Sequence, residues 1–128
     1  MLSIGSNLKE NLTHRPILSI VIPAYNEEKS IGVVLHRIKK SLDCRLINYE
    51  VIVVNDGSED KTGNIALAYG AQVINQKNAG YGSALKTGLL RAKGKYLCFL
   101  DADNTYPPEF IYSMLKCAES SSLVVGSR

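Results

Sequence analysis

The sequence has no tryptophan, two histidines and three cysteines in its 128 residues. Each scarcity removes a class of function. Cys44, Cys98 and Cys117 are an odd set with no Cys-x-x-Cys spacing, so neither a disulfide framework nor a zinc site is indicated, and reduced thiols fit a cytoplasmic protein. Of the histidines, His14 falls in an N-terminal segment without periodicity and His36 on the solvent side of a predicted helix, so a histidine-activated Ser or Cys nucleophile is unsupported. Charge of one sign is scarce too: the net charge is +3, with lysines and arginines scattered among acids. Without a basic run or a tryptophan platform there is no footprint for nucleic acid. No apolar stretch approaches the roughly 20 residues that span a bilayer. Residues 1–16 lack the apolar centre of a signal peptide and are expected to form a flexible tail. The expected location is therefore cytoplasmic, with any membrane association peripheral or supplied by sequence outside these residues. In that compartment Asn11-Leu12-Thr13 matches a glycosylation acceptor by chance.

What the chain does have is an apolar content of 45%, enough for one buried core in a chain of this length. Ile17 to Ile22 is a β-branched run that Pro23 is expected to stop, and the following turn leads into a helix with Ile31, Val34, Leu35, Ile38 and Leu42 at helical spacing. A second strand is predicted over 50–54, a helix over 61–69 closed by Gly70, and a short strand over 71–74. A glycine-bearing loop over 75–82 precedes a helix over 83–93. Tyr96 to Leu100 is a strand buried on both faces. The prolines at 107 and 108 then open a helix whose inner face carries Phe110, Ile111, Met114, Leu115 and Ala118, and residues 122–126 form a last strand. Strands alternating with helices predict an α/β domain over residues 17–128: a mostly parallel, doubly wound, Rossmann-like sheet with helices on both faces.

Ligands of such sheets bind outside the carboxyl ends of the strands. Tyr25 and Glu27 follow the first strand of this pattern, Asp56 the second, the loop to Gly82 the third, and Asp101 and Asp103 the fourth. All the unusual polar clusters therefore fall on one edge of the sheet. Known nucleotide motifs do not account for them: there is no Walker A sequence, and Leu85 stands where a dinucleotide fingerprint beginning at Gly80-Tyr81-Gly82 needs its third glycine. Paired aspartates suit a hard divalent cation and the oxygens of a phosphate. A site with acids and a cation but no histidine base suits a substrate that carries its own leaving group, such as a sugar on a nucleoside diphosphate. The cation would neutralise the departing diphosphate, Asp56 would accept hydrogen bonds from the base or ribose, and Tyr25 could pack against the base.

Four stretches, in order, carry a resemblance: 20–27 (Ile-Val-Ile-Pro-Ala-Tyr-Asn-Glu), 53–62 (Val-Val-Asn-Asp-Gly-Ser-Glu-Asp-Lys-Thr), 78–84 (Asn-Ala-Gly-Tyr-Gly-Ser-Ala) and 100–103 (Leu-Asp-Ala-Asp). Together they resemble the successive motifs of family 2 glycosyltransferases of GT-A fold. Asp-Ala-Asp followed by Pro-Pro-Glu, with the closing Val-Gly-Ser-Arg, most resembles dolichyl-phosphate mannose or glucose synthases. The resemblance implies inverting transfer of a hexose from a GDP- or UDP-sugar to an acceptor such as a polyprenyl or dolichyl phosphate, with Mg²⁺ or Mn²⁺. It implies that Pro23, Ala24, Tyr25, Glu27 and Asp56 line the nucleoside site, that Asp101 and Asp103 hold the metal and diphosphate, and that Arg128 contacts phosphate. Lys86 is a further candidate for phosphate, against the plainer reading of a solvated lysine. The acceptor side and any catalytic base are expected beyond Arg128, which makes the chain an incomplete GT-A domain, the donor-binding part. An uncovered sheet edge leaves a homo-oligomer open.

Two other classes compete. Asp101-x-Asp103-x-Thr105 also matches the opening of haloacid dehalogenase-type phosphatases, but that motif belongs after a first strand with further acids and a lysine downstream, and 23 residues follow Thr105. A non-catalytic nucleotide-sugar-binding or interaction module is the other alternative.

Overall fold

The computed structural model describes residues 2–6, 15–120 and 123–126. Its centre is a six-stranded sheet. The strands are β1 (Leu2–Ser6), β2 (Leu18–Ala24), β3 (Tyr49–Asp56), β4 (Gln72–Gln76), β5 (Tyr96–Phe99) and β6 (Leu123–Gly126), in the spatial order β4-β3-β2-β5-β1-β6. From β4 to β5 every pairing is parallel. β1 runs antiparallel between β5 and β6.

The helices are α1 (Ile31–Asp43), α2 (Thr62–Ala68), α3 (Tyr81–Arg91) and α4 (Ile111–Ala118), the last preceded by a 3₁₀ turn over Pro108–Phe110. They divide unequally between the two faces. α1, α2 and α4 bury Ile31, Val34, Ile38, Leu42, Ala66, Ile111 and Leu115 against Leu18, Ile20, Ile22, Val53 and Cys98. Among the described residues α3 alone covers the other face, where its Ala84 and the capping Ala92 meet Val21, Ile52, Val54 and Leu97. Each fully buried Ile or Leu contributes about 2 kcal/mol, so the three-helix face supplies most of the core energy. α3 can cover its face closely because position 88 is glycine: a Cβ there would lie 2.3 Å from Val21 Cγ1. Cys98 is fully buried, and burial pushes its thiol up to about 12, which suits a small core residue rather than a reactive one.

The mostly parallel sheet and its two covered faces are as the sequence predicts, and the five spaced apolar residues of α1 are all buried. Three local expectations are corrected. Residues 2–6 are not tail but an inner strand, with Ile4 1% exposed in the core. Pro23 does not stop its strand. The Val21 carbonyl accepts from the Leu100 amide at 3.0 Å, so the backbone groups of odd β2 residues point toward β5; the ladder with β5 ends at Val21–Phe99, and Pro23 lies beyond it, where the missing N–H breaks no ladder pairing. Phe110 is 60% exposed rather than inward, because it lies in the 3₁₀ turn, whose tighter winding takes it off the apolar stripe of α4.

Candidate functional site

The carboxyl ends of β2, β3 and β5 and the start of α3 surround a cavity of about 410 Å³. β2 contributes Pro23 and Ala24 to its lining and passes directly into Tyr25 and Glu27. β3 ends on Asp56, the loop into α3 brings Gly80 and Tyr81, and the segment after β5 brings Asp101, Ala102 and Asp103. Thus Pro23, Ala24, Tyr25, Glu27, Asp56, Asp101 and Asp103, widely separated in sequence, share one hollow. Lys86 is exposed on α3 and is not part of the lining. Arg128 lies outside the described residues. His36 is exposed on α1, as expected.

The turn after β2 is fastened to the loop after β3. Asn26, in the left-handed region at φ +52°, donates its amide to Ser58 Oγ at 2.9 Å and accepts the Glu59 amide on its side chain at 2.8 Å. The Glu27 amide donates to Thr62 Oγ1 at 2.8 Å, and the Glu28 amide to Asp60 Oδ2 at 3.2 Å. Burial alone would raise the Asp60 carboxyl, but the hydroxyl and amide of Thr62 and the amide of Glu28 outweigh it and hold it below the usual carboxylate range. This network fixes where Tyr25 and Glu27 emerge. Ser30 then ties the same turn to the acid pair: its Oγ lies 2.7 Å from the Ala102 carbonyl and 2.9 Å from Glu27 Oε2, and its single proton serves one or the other.

Asp56 is 4% exposed and fully engaged. Its Oδ1 accepts from Gln76 Nε2 at 2.8 Å and the Ala79 amide at 2.9 Å. Its Oδ2 accepts from the Gly80 amide at 2.9 Å, with Asn78 Nδ2 at 3.4 Å. Burial opposes the charge, yet these donors prevail, and the carboxyl sits below its ordinary range. An ionised Asp56 thereby fixes the 78–80 loop. Gly80 itself is at φ +99°, a conformation that glycine adopts without strain. Tyr81 follows it, half exposed, and donates its hydroxyl to Asp101 Oδ1 at 2.9 Å. Partial burial, and then the neighbouring Asp101, push the Tyr81 phenol up to about 12, so it remains a donor at neutral pH.

Asp103 is exposed, and its Oδ1 accepts the Thr105 amide at 3.0 Å. Hydrogen bonding by Thr105 holds its carboxyl below the usual range against partial burial. Asn104, at φ +63°, accepts from Arg37 Nη1 at 2.7 Å, and Arg37 Nε donates to Glu109 at 2.8 Å, so α1 braces the loop that carries Asp103. Among the described residues no group of three or more His, Cys, Asp or Glu side chains is placed to hold a metal. Two aspartates suffice for an octahedral cation that takes its remaining ligands from phosphate and water, so the donor set fits Mg²⁺ or Mn²⁺ bound together with a diphosphate.

Tyr81, Ser30 and Arg37 were not picked out in the sequence as site residues. Tyr81 carried a signal, since its loop follows β4 on the ligand-binding edge. Ser30 and Arg37 act across 72 and 67 residues of sequence separation, a relation that no local pattern encodes.

Comparison with known proteins settles the family. Residues 19–128 match Glycosyl transferase family 2, which is nearly all of the domain. The chain belongs to that family. An uncharacterized glycosyltransferase of Rickettsia prowazekii is 41% identical over 106 residues, covering 81% of this chain and 32% of that protein. A dolichyl-phosphate beta-glucosyltransferase of Trichomonas vaginalis is 36% identical over 129 residues, covering 87% of the chain and 40% of the relative. The chain thus spans about a third of the length of the curated relatives it matches. Among solved structures, glucosyl-3-phosphoglycerate synthase from Mycobacterium tuberculosis, in complex with Mn²⁺, UDP and glucosyl-3-phosphoglycerate, superimposes with a TM-score of 0.65 at 32% identity, over 76% of this chain and 37% of the other. A mannosyltransferase from Pyrobaculum calidifontis with GDP-Man and Mn²⁺ gives 0.67 at 27% identity, over 79% and 31%. The α/β sheet of this family 2 chain is accordingly the GT-A fold that its motifs suggested. The family match leaves the phosphatase reading of Asp101-x-Asp103-x-Thr105 without support.

Proposed function

We propose that the cavity is the donor site of a glycosyltransferase: it takes a hexose on UDP or GDP together with Mg²⁺ or Mn²⁺ at Asp101 and Asp103. The observation that carries this reading is the charge of the lining. Glu27, Asp56, Asp101 and Asp103 all face the hollow, and no lysine or arginine stands among the described residues that line it. Asp56 is quenched by four N–H donors, but the other acids would repel a bare diphosphate. The lining therefore favours a diphosphate that arrives with a divalent cation. The Mn²⁺-bound nucleotide complexes of the similar structures support the same pairing.

In this reading Pro23, Ala24, Tyr25, Glu27 and Asp56 form the nucleoside side, with the exposed ring of Tyr25 available to stack on the base, and Arg128 contacts phosphate. The cation, when bound, supplies Lewis-acid neutralisation of the leaving diphosphate. The acceptor oxygen attacks the anomeric carbon from the opposite side, the bond from that carbon to the diphosphate oxygen breaks, and the electron pair leaves with the nucleotide, inverting the centre. Relatives named as undecaprenyl-phosphate and dolichyl-phosphate transferases favour a polyprenyl or dolichyl phosphate as acceptor. Such a phosphate is already ionised at neutral pH and needs little help from a base. A peripheral position at the cytoplasmic face of a membrane would suit a lipid acceptor; no described helix is long and apolar enough to cross a membrane. A module that binds the donor without transferring it would share this chemistry and differ only in yielding no product.

Calorimetric titration with UDP- and GDP-hexoses, with and without Mn²⁺, tests the proposal. Binding is expected only with metal; no metal-dependent binding to any of them would sink it. Asp103→Ala is expected to abolish that binding and leave the fold intact, and an unaltered affinity would remove the metal role from Asp103.

A further inference from the structure

One chain of contacts crosses the cavity from its nucleoside end to its acid pair. Asp56 holds the amides of Ala79 and Gly80 on its two carboxylate oxygens, both at 2.9 Å. The next residue, Tyr81, opens α3 and reaches Asp101 Oδ1 with its hydroxyl at 2.9 Å. Asp56 behind it, and the first turn of α3 ahead, where the Ala84 amide bonds the Gly80 carbonyl at 3.1 Å, hold the backbone on either side of Tyr81.

We propose that Tyr81 is a positioning residue for the cation: by donating to Oδ1 at 2.9 Å it restrains the rotation of the Asp101 carboxylate and so sets the orientation in which that carboxylate meets the metal. This rests on the donor-site reading above and extends it to a residue with no assigned role. The chemistry is that of an outer partner. A carboxylate free to spin about its last bond must be ordered when a cation arrives, and a hydrogen bond to one oxygen prepays part of that ordering and sharpens the geometry. Tyr81 suits the task because its phenol stays protonated at neutral pH and so donates without adding charge.

Mn²⁺ affinity of the full chain, measured by electron paramagnetic resonance with UDP or GDP present, is the direct test. Tyr81→Phe keeps the ring and removes only the hydroxyl. It is expected to weaken Mn²⁺ binding about tenfold, the usual effect of losing an outer partner of a ligand, with the metal-free melting temperature unchanged. An unchanged or tighter Mn²⁺ affinity overturns the assignment, as does a loss of affinity that merely follows a loss of stability. If the unaltered chain shows no Mn²⁺-dependent binding, the donor-site reading itself falls and takes this inference with it. If the unaltered chain binds and Tyr81→Phe binds equally well, only the role of Tyr81 falls.

Discussion

Replacing Asp56 by Asn would test how the site is held open, because it alters one atom of a residue that four donors surround. Asn offers one acceptor oxygen and one NH₂ group where Asp offers two acceptors. Turned one way, the NH₂ would confront both Gln76 Nε2 and the Ala79 amide, the two donors at Oδ1. Turned the other way, it would confront the Gly80 amide and the more distant Asn78 Nδ2 at Oδ2. The second arrangement costs less: one charge-assisted hydrogen bond is lost, a donor faces a donor, and the charge that strengthened the surviving bonds is gone. A hydrogen bond to a charged group is worth about 1.5–3 kcal/mol. Because Gly80 and Ala79 are exposed and can turn to water, the loss should fall near the middle of that range, about 2 kcal/mol. In a domain of this size that lowers the melting temperature by roughly 6–10 °C. Differential scanning calorimetry at neutral pH measures it, and hydrogen exchange should show the Gly80 amide losing protection. A fall below about 2 °C, or a Gly80 amide that exchanges freely in the unaltered chain, would refute the argument. Acid adds a second reading of the same interaction. The folded carboxyl is held below its unfolded value, so its stabilisation is complete above the unfolded value and disappears as pH falls through the folded one. The gap between the two proteins should therefore close as the solution is acidified below the ordinary aspartate range.

The same substitution should have opposite signs at two glycines of α3. Gly88→Ala would gain about 1 kcal/mol of helix propensity but drive a methyl to 2.3 Å from Val21 Cγ1 and 3.2 Å from Val54 Cγ2 in a closed core, for a net loss of about 2 kcal/mol, whereas Gly82→Ala, with nothing within 4 Å, should gain up to about 1 kcal/mol. Chemical denaturation of both variants checks this, and equal shifts would contradict the packing described for α3. Arg37→Met should change stability by less than about 1 kcal/mol, since the Arg37 and Glu109 side chains are 31% and 50% exposed. It should nonetheless weaken Mn²⁺ binding, because Asn104, next to Asp103, loses its tether at 2.7 Å; an unaffected metal affinity would show that the loop keeps its shape unaided.

Much of the fold was legible because it is written in local periodicities. The spacing of Ile31, Val34, Leu35, Ile38 and Leu42 can bury one side of a helix and nothing else, and the runs ending at Asp56 and Leu100 can only be strands covered on both faces. The candidate site was legible for a related reason: parallel strands carry their end residues to one edge, so acids that follow successive strands must meet. β1 was not legible. Leu2-Ser3-Ile4-Gly5-Ser6 is short and poor in strand formers, and it acquires its structure from partners such as Phe99 and Val125, which lie nearly the whole chain away.

Asp56 marks the boundary between the two kinds of knowledge. Its place at the end of a buried strand, and so on the ligand-binding edge, follows from the sequence alone, because side-chain alternation and strand length are local properties. That its carboxylate is already filled by Gln76, Ala79 and Gly80, and through that loop sets Tyr81 on Asp101, was decided only in three dimensions. A hydrogen bond depends on a few tenths of an ångström between groups that the chain brings together from distant positions, and the energy that places them there belongs to the packing of the whole sheet rather than to any stretch of residues.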